Sequence, residues 1–442
     1  MTTSANGPYL GRRFVLALAG GATLAAARPR PARAADTVLQ IWTGYPELVP
    51  WYQAVSADFA KANPGVSTNV LSTTLREHEQ KLNAAIPTGT GPDVFDVGTN
   101  ITSTYAEAGL IQPNSSEVDA YLKKNWIPQA VDHFTMGGKS YGLPLLISND
   151  ALFWNRTYFK EAGLDAAPET FPDMMEAARK LVKIDSSGKM TRSGMSLRLS
   201  GQGSGICEKF RFVLEPAGGS IIAKNAAGKY HQNYDNQAGR DALQYYIDAV
   251  QKYHVDDPKV QHDSDAFVAG NTAMLFREAW VIGEIQKKNP TLDFGVAMIP
   301  RWRDGQPHKT LLHFDSLTVS GKSKNQKLAW DWVMFATQPV NMVKLTQMSG
   351  WVAGRSGEMD WSPLIKQTPQ YQVFVDPPKE MVYYLEPVLP PWDEIQTRVA
   401  DQLPAAFVDP SLKDDPKKVS DVIHRLATQT DQLLKEAGLY GV

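Results

Sequence analysis

Eleven tryptophans are the most concentrated source of binding chemistry in this 442-residue chain. Trp42, Trp280, Trp302, Trp351 and Trp392 fall at strand ends or in loops, whereas Trp332 has the spacing of a helix core. Flat apolar rings stack on the C–H faces of sugars, and Asp, Asn, Glu and Arg at the rim satisfy the hydroxyls. Catalytic signatures are missing: there is no phosphate-binding Gly-x-x-x-x-Gly-Lys loop, no His-Glu-x-x-His and no Gly-x-Ser-x-Gly elbow. Gly201-Gln202-Gly203-Ser204-Gly205 lacks the preceding strand and downstream acid of a dinucleotide fingerprint and reads as a mobile loop.

Metal chemistry has little to build on. The group His254, Asp256, Asp257, His262 and Asp263 reads as solvated loop residues. Adjacent tyrosines, Tyr245-Tyr246 and Tyr383-Tyr384, resemble a ferric-ion ligand pair, but the first lies inside an amphipathic helix, where tyrosines pack. Cys207 is the one cysteine, which excludes an internal disulfide and multi-cysteine metal centres; it reads as a small buried hydrophobe. No metal and no cofactor is expected.

The elements that position these groups begin after a leader. Arg12-Arg13 precede a 14-residue apolar run, Phe14–Ala27, and Ala32-Arg33-Ala34 closes with a small-x-small cleavage pattern. This reads as an export signal over residues 1–34, of twin-arginine (Tat) rather than Sec type, and too short to span a bilayer. Removing five arginines and no acids leaves 40 basic against 47 acidic residues, so a formal charge of −2 becomes −7. That balance gives no electrostatic footprint for nucleic acid. No cysteine stands at the cleavage site, so the expectation is a periplasmic protein without a lipid anchor.

Apolar residues at 43% and charged residues at 21% describe a globular chain, and its length suits two or three domains. Strands are predicted at Val38–Trp42, Val66–Leu71 and Asp93–Val97, and helices at 47–62 and 77–86. This alternation argues for βαβ units and a parallel sheet. Thr170 caps a helix whose Met174, Ala178 and Leu181 share a face. Further helices are predicted around Ala242–Val250, Leu328–Ala336 and Val419–Leu434, and Gly138, Gly188, Gly228 and Gly305 mark turns.

In order along the chain, these segments resemble the family 1 extracellular solute-binding proteins of ABC importers, which include maltose-binding protein. Phe59-Ala60-Lys61-Ala62-Asn63-Pro64-Gly65-Val66, Lys81–Ile86 and Gly91-Pro92-Asp93-Val94-Phe95 carry the first part of the resemblance. Gly109–Pro113, Tyr141–Pro144, Leu152–Asn155 and Phe159–Leu164 follow, and Phe267–Met274 with Trp280 is the most recognisable block. Ser323-Lys324-Asn325 and Ala329–Trp332 match a late helix.

The resemblance implies an α/β, periplasmic-binding-protein type II-like fold, two α/β lobes joined by a hinge of crossover segments. The lobes would be 36–146 with 299–346, and 147–298 with 347–442. The ligand would lie between them, a mono- to oligosaccharide or polyol, and closure would present the monomeric receptor to ABC permease subunits in the inner membrane. Contacts carried over are Trp42 and Tyr45 after the first strand, Thr99 and Asn100 after the third, and Ser148, Asn149 and Asp150 at a crossover. Trp280, Asp315, Trp351, Arg355 and Trp392 complete the set. Glu278 and Ala279 replace the family's glycine–proline before Trp280, a departure that aims a carboxylate at the cleft. Rival readings are a non-sugar ligand on the same fold, a ferric-ion receptor, and a carbohydrate-active enzyme using Glu278 and Asp315.

Overall fold

The computed structural model describes residues 37–201, 203–355 and 359–442, so the leader and Gln202 lie outside the described residues. A first sheet forms on Thr37–Thr43, which pairs in parallel with Val66–Ser72 on one side and Val94–Gly98 on the other. These are the predicted βαβ strands, connected by helices Val49–Ala62 and Leu75–Ala85. The sheet is mixed rather than wholly parallel, because the strand Lys309–Val319 joins it antiparallel to Val94–Gly98. That strand arrives after an excursion of some two hundred residues, so its direction is free of the short-crossover rule that forces parallel pairing.

The excursion builds a second α/β lobe. The chain leaves the first sheet on Leu143–Asn149, turns at Asp150, and enters a three-stranded antiparallel sheet on Ala151–Asn155. Met274–Arg277 and Phe294–Ala297 flank that strand. Helix Phe171–Leu181 is capped by Thr170, whose hydroxyl oxygen accepts from the Asp173 amide at 3.2 Å. Helices Gly205–Ala217, Gln237–Ile247, Trp392–Val408 and Pro416–Glu436 bury the other apolar stripes. Gly138, Gly188, Gly228 and Gly305 all have φ between 77° and 82°, the left-handed turn conformation their positions predict.

The buried apolar groups fall into two large cores and two satellites. One holds Ile41, Trp51, Tyr52, Val94, Phe314, Trp332 and Leu345. The other holds Phe171, Phe210, Leu243, Tyr246, Phe407, Ile423 and Leu426, with Cys207 fully buried among them. Burial lifts the Cys207 thiol to about 12, so it stays protonated and inert. The strand Lys309–Val319 serves both: Leu311 packs into the second core, and Leu312, Phe314 and Leu317 pack into the first. Its first four residues also pair in parallel with the short strand Val382–Leu385.

Candidate functional site

A cleft of about 480 Å³ lies between the lobes, where the strands of the first sheet end. Such carboxyl-end crevices are where open α/β sheets receive ligands. Eight of the expected contacts meet there: Tyr45, Thr99, Asn100, Ser148, Glu278, Trp280, Asp315 and Trp351. Tyr45 follows the first strand and donates its hydroxyl to Asp315 Oδ1 at 2.7 Å. Its ring meets Trp351 edge-on with centroids 5.4 Å apart, and Trp351 stacks against Trp280 at 6.0 Å. Each indole N–H is spoken for: Trp351 Nε1 donates to Glu47 Oε1 at 2.7 Å, and Trp280 Nε1 to Glu278 Oε2 at 2.9 Å. The result is an aromatic shelf whose rings are fixed by hydrogen bonds to acidic neighbours.

Beside this shelf, from Trp280 onward, the lining is ionic. Arg277 grips Asp263 through Nε at 2.5 Å and Nη2 at 2.7 Å, while its Nη1 lies 3.3 Å from Glu278. Burial opposes charge on Glu278, but the fields of Arg277 and Lys209 outweigh it and hold the carboxyl below its usual range. Lys209 is buried between Asp150 at 3.6 Å and Glu208 at 3.1 Å. His313 lies 3.1 Å from Asp150 Oδ2; burial disfavours its charge, yet Asp150, Glu208 and Glu278 lift it to about 10. It is therefore an imidazolium donating Nε2–H to Asp150.

Asp150, Glu278 and His313 place ligand atoms within 4.8 Å of one another, a spacing a cation could use. The donor set does not suit one. The imidazole nitrogen holds a proton for Asp150, and the Lys209 ammonium already lies against that carboxylate. On the other wall, burial raises Asp315 to about 6 against the Tyr45 hydrogen bond and the His313 charge. Burial likewise raises Glu47, with the Trp351 hydrogen bond opposing.

Five expected contacts are elsewhere. Trp42 is half-buried against a satellite core around Phe95 and Tyr105. Asn149 is buried and donates to the Val373 carbonyl at 3.3 Å. Asp150 lies beneath the cleft floor, fully buried. Arg355 is drawn into the first lobe by Asn125 Oδ1 at 2.6 Å and the Thr337 carbonyl at 3.1 Å. Trp392 is 1% exposed and donates Nε1 to Glu386 Oε2 at 3.1 Å, so its partner, not the ring, reaches the cleft.

Other cleft residues carried no usable signal in the sequence. Ser204 and Gly205, expected in a mobile loop, form the cleft wall at the start of helix Gly205–Ala217. A Cβ on Gly205 would come within 2.4 Å of the Arg198 guanidinium, so glycine is what lets that group lie there. Arg76 on the other lobe donates to Ser204 Oγ at 3.1 Å and pairs with Glu79 at 2.8 Å. The expectation of solvated groups around residue 256 is corrected as well. Asp256 is 1% exposed, accepts from the Leu197 and Asp257 amides, and burial pushes it to about 8.

Two α/β lobes around a polar, aromatic-lined cleft define a receptor that holds a small solute between them. The chain belongs to the bacterial extracellular solute-binding protein family, whose profile matches residues 54–373. A Brucella abortus protein named only as a binding protein is 22% identical over 88% of this chain and 90% of its own length. The maltotriose-binding protein of Pyrococcus abyssi is 24% identical over 66% of this chain and 60% of its own. Among solved structures, an ABC transporter solute-binding protein from Thermotoga lettingae, bound with α-D-tagatose, superposes with a TM-score of 0.74 at 21% identity. That match covers 90% of this chain and all of the other.

Proposed function

We propose that this chain is the carbohydrate receptor of an ABC importer, capturing a mono- to oligosaccharide or polyol and presenting it to a membrane permease. The observation that carries this reading is the Tyr45–Trp351–Trp280 shelf facing hydrogen-bonding groups across one cleft. A ligand touching both walls favours the closed arrangement by its differential affinity for it. Residues 1–34 direct export, and the receptor works in the periplasm as a monomer. The lobes are assigned as 36–146 with 299–346, and 147–298 with 347–442. Core membership follows these limits in the main, Leu146 and Leu345 packing in the first core and Leu152 and Leu403 in the second, but Trp351 and Ala353 cross to the first core and Ile299 and Leu311 to the second.

No reaction is assigned to the cleft. Both carboxyls of the rival glycosidase reading already have partners, Glu278 in Arg277 and the Trp280 indole, and Asp315 in the Tyr45 hydroxyl. A thermal-shift screen of residues 35–442 against sugars, polyols, amino acids and metal salts tests the whole reading. A sugar at about 100 times its dissociation constant should stabilise the fold by roughly 2.7 kcal/mol. Stabilisation confined to amino acids or metals, or hydrolysis of an added glycoside, overturns it.

A further inference from the structure

The cleft is not balanced in charge. Seven carboxylates line it against four basic side chains, counting His313 as charged. The basic groups are all engaged: Arg76 by Glu79, Arg277 and Arg198 by Asp263, and His313 by Asp150. An anionic ligand would have to break one of these pairs and leave a buried carboxylate uncompensated, which is costly.

Glu47 and Asp315 differ from the other acids. Each accepts a hydrogen bond from the aromatic shelf, from Trp351 Nε1 and the Tyr45 hydroxyl respectively. Among the described residues neither has a cation within ion-pair distance. Partly desolvated carboxylates without a direct ion pair, Asp315 feeling only the more distant His313 charge, gain most from a cation brought by the ligand. The shelf already tolerates one positive charge, since Arg277 lies 5.4 Å from the Trp280 ring centroid. A second observation marks the cleft as unfinished: Ser148, paired in register with His313, is 2% exposed, lines the cleft, and its Oγ has no hydrogen-bond partner among the described residues.

We propose that the ligand is a sugar or polyol bearing a protonated amine, with its ammonium group taken up on the shelf wall by Asp315 and Glu47. This rests on the carbohydrate reading and narrows it. Neutral hydroxyls satisfy the groups around Arg277 and His313, where the ions are already matched, and the amine pairs with the two carboxylates that have no ion pair.

Isothermal titration at pH 7 with matched compounds tests it: glucosamine, galactosamine, mannosamine and the chitosan dimer, each beside its neutral parent and its N-acetyl form, with glucuronate as the anionic control. At least one amine should bind ten-fold or more tightly than its parent and its N-acetyl form, and that margin should shrink as salt is raised. Glu47→Gln with Asp315→Asn should weaken the amine about ten-fold more than the parent, the unfolding midpoint serving as the check on folding. Parents or N-acetyl forms binding as tightly as every amine overturn the inference and leave the carbohydrate reading standing. Tighter glucuronate binding overturns it too. No binding by any amine also overturns it, and if a broad sugar screen is equally silent the receptor reading falls with it.

Discussion

Trp280 is where stacking, hydrogen bonding and charge meet, since its ring lies on Trp351, its Nε1 on Glu278, and Arg277 approaches it at 5.4 Å. Trp280→Ala should weaken binding of whichever sugar gives the largest thermal shift by at least about 1 kcal/mol, read by calorimetry. Unchanged affinity in a folded variant would remove Trp280 from the site. Asp315 carries a pH signature. Its folded value near 6 stands above the ordinary 3.8, so between those limits the folded state holds more protons than the unfolded one. The Asp315 contribution is therefore most favourable below pH 4 and is lost as pH rises through 6. Denaturant titrations of wild type and Asp315→Asn should diverge across that window, wild type losing on the order of 1–2 kcal/mol relative to the variant. Parallel curves would mean that Tyr45 and His313 hold the carboxyl at its ordinary value. At this scale the sequence was informative where a residue ends a strand, as with Tyr45, Thr99 and Asn100. It was silent on Arg76 and Glu208, which lie on helices, and on Arg198, which lies in a loop, because charged residues look alike until a partner across the cleft selects one.

Strands and helices were legible wherever local signals agreed. Val66–Ser72 alternates, Asn63-Pro64-Gly65 stops the helix before it, and Thr170 caps helix Phe171–Leu181, all within a few residues of expectation. Thr170→Ala should cost about 1 kcal/mol of stability by chemical denaturation, since the Asp173 amide loses its acceptor. The glycine-rich stretch gave no sign of lining a cleft because flexible composition says nothing about what a neighbouring element presses onto it. Here helix Leu75–Ala85 presses Arg76 onto Ser204, bridging the lobes with a partly exposed contact. Arg76→Ala should therefore raise the ligand's dissociation constant by no more than about five-fold, in keeping with about 1 kcal/mol or less for such bridges. The change should appear in the off-rate, and an effect on stability without one on the off-rate would make the contact merely structural.

At the scale of the molecule, motif order carried more than composition did. The bulk figures suit any neutral globular chain, whereas six short motifs in sequence anticipated two lobes and a cleft. What they missed is antiparallel: neither the entry of Lys309–Val319 into the first sheet nor the pairing within the second follows from local alternation, because both depend on residues far apart. The interleaving also has a consequence in time. The first core is unfinished without Trp351 and Ala353, and the second without Leu434. A ribosome must therefore pass Ala353 before the first half can be finished and Leu434 before the second. For most of its synthesis the nascent chain must stay unfolded or be sheltered, and both halves are completed only late.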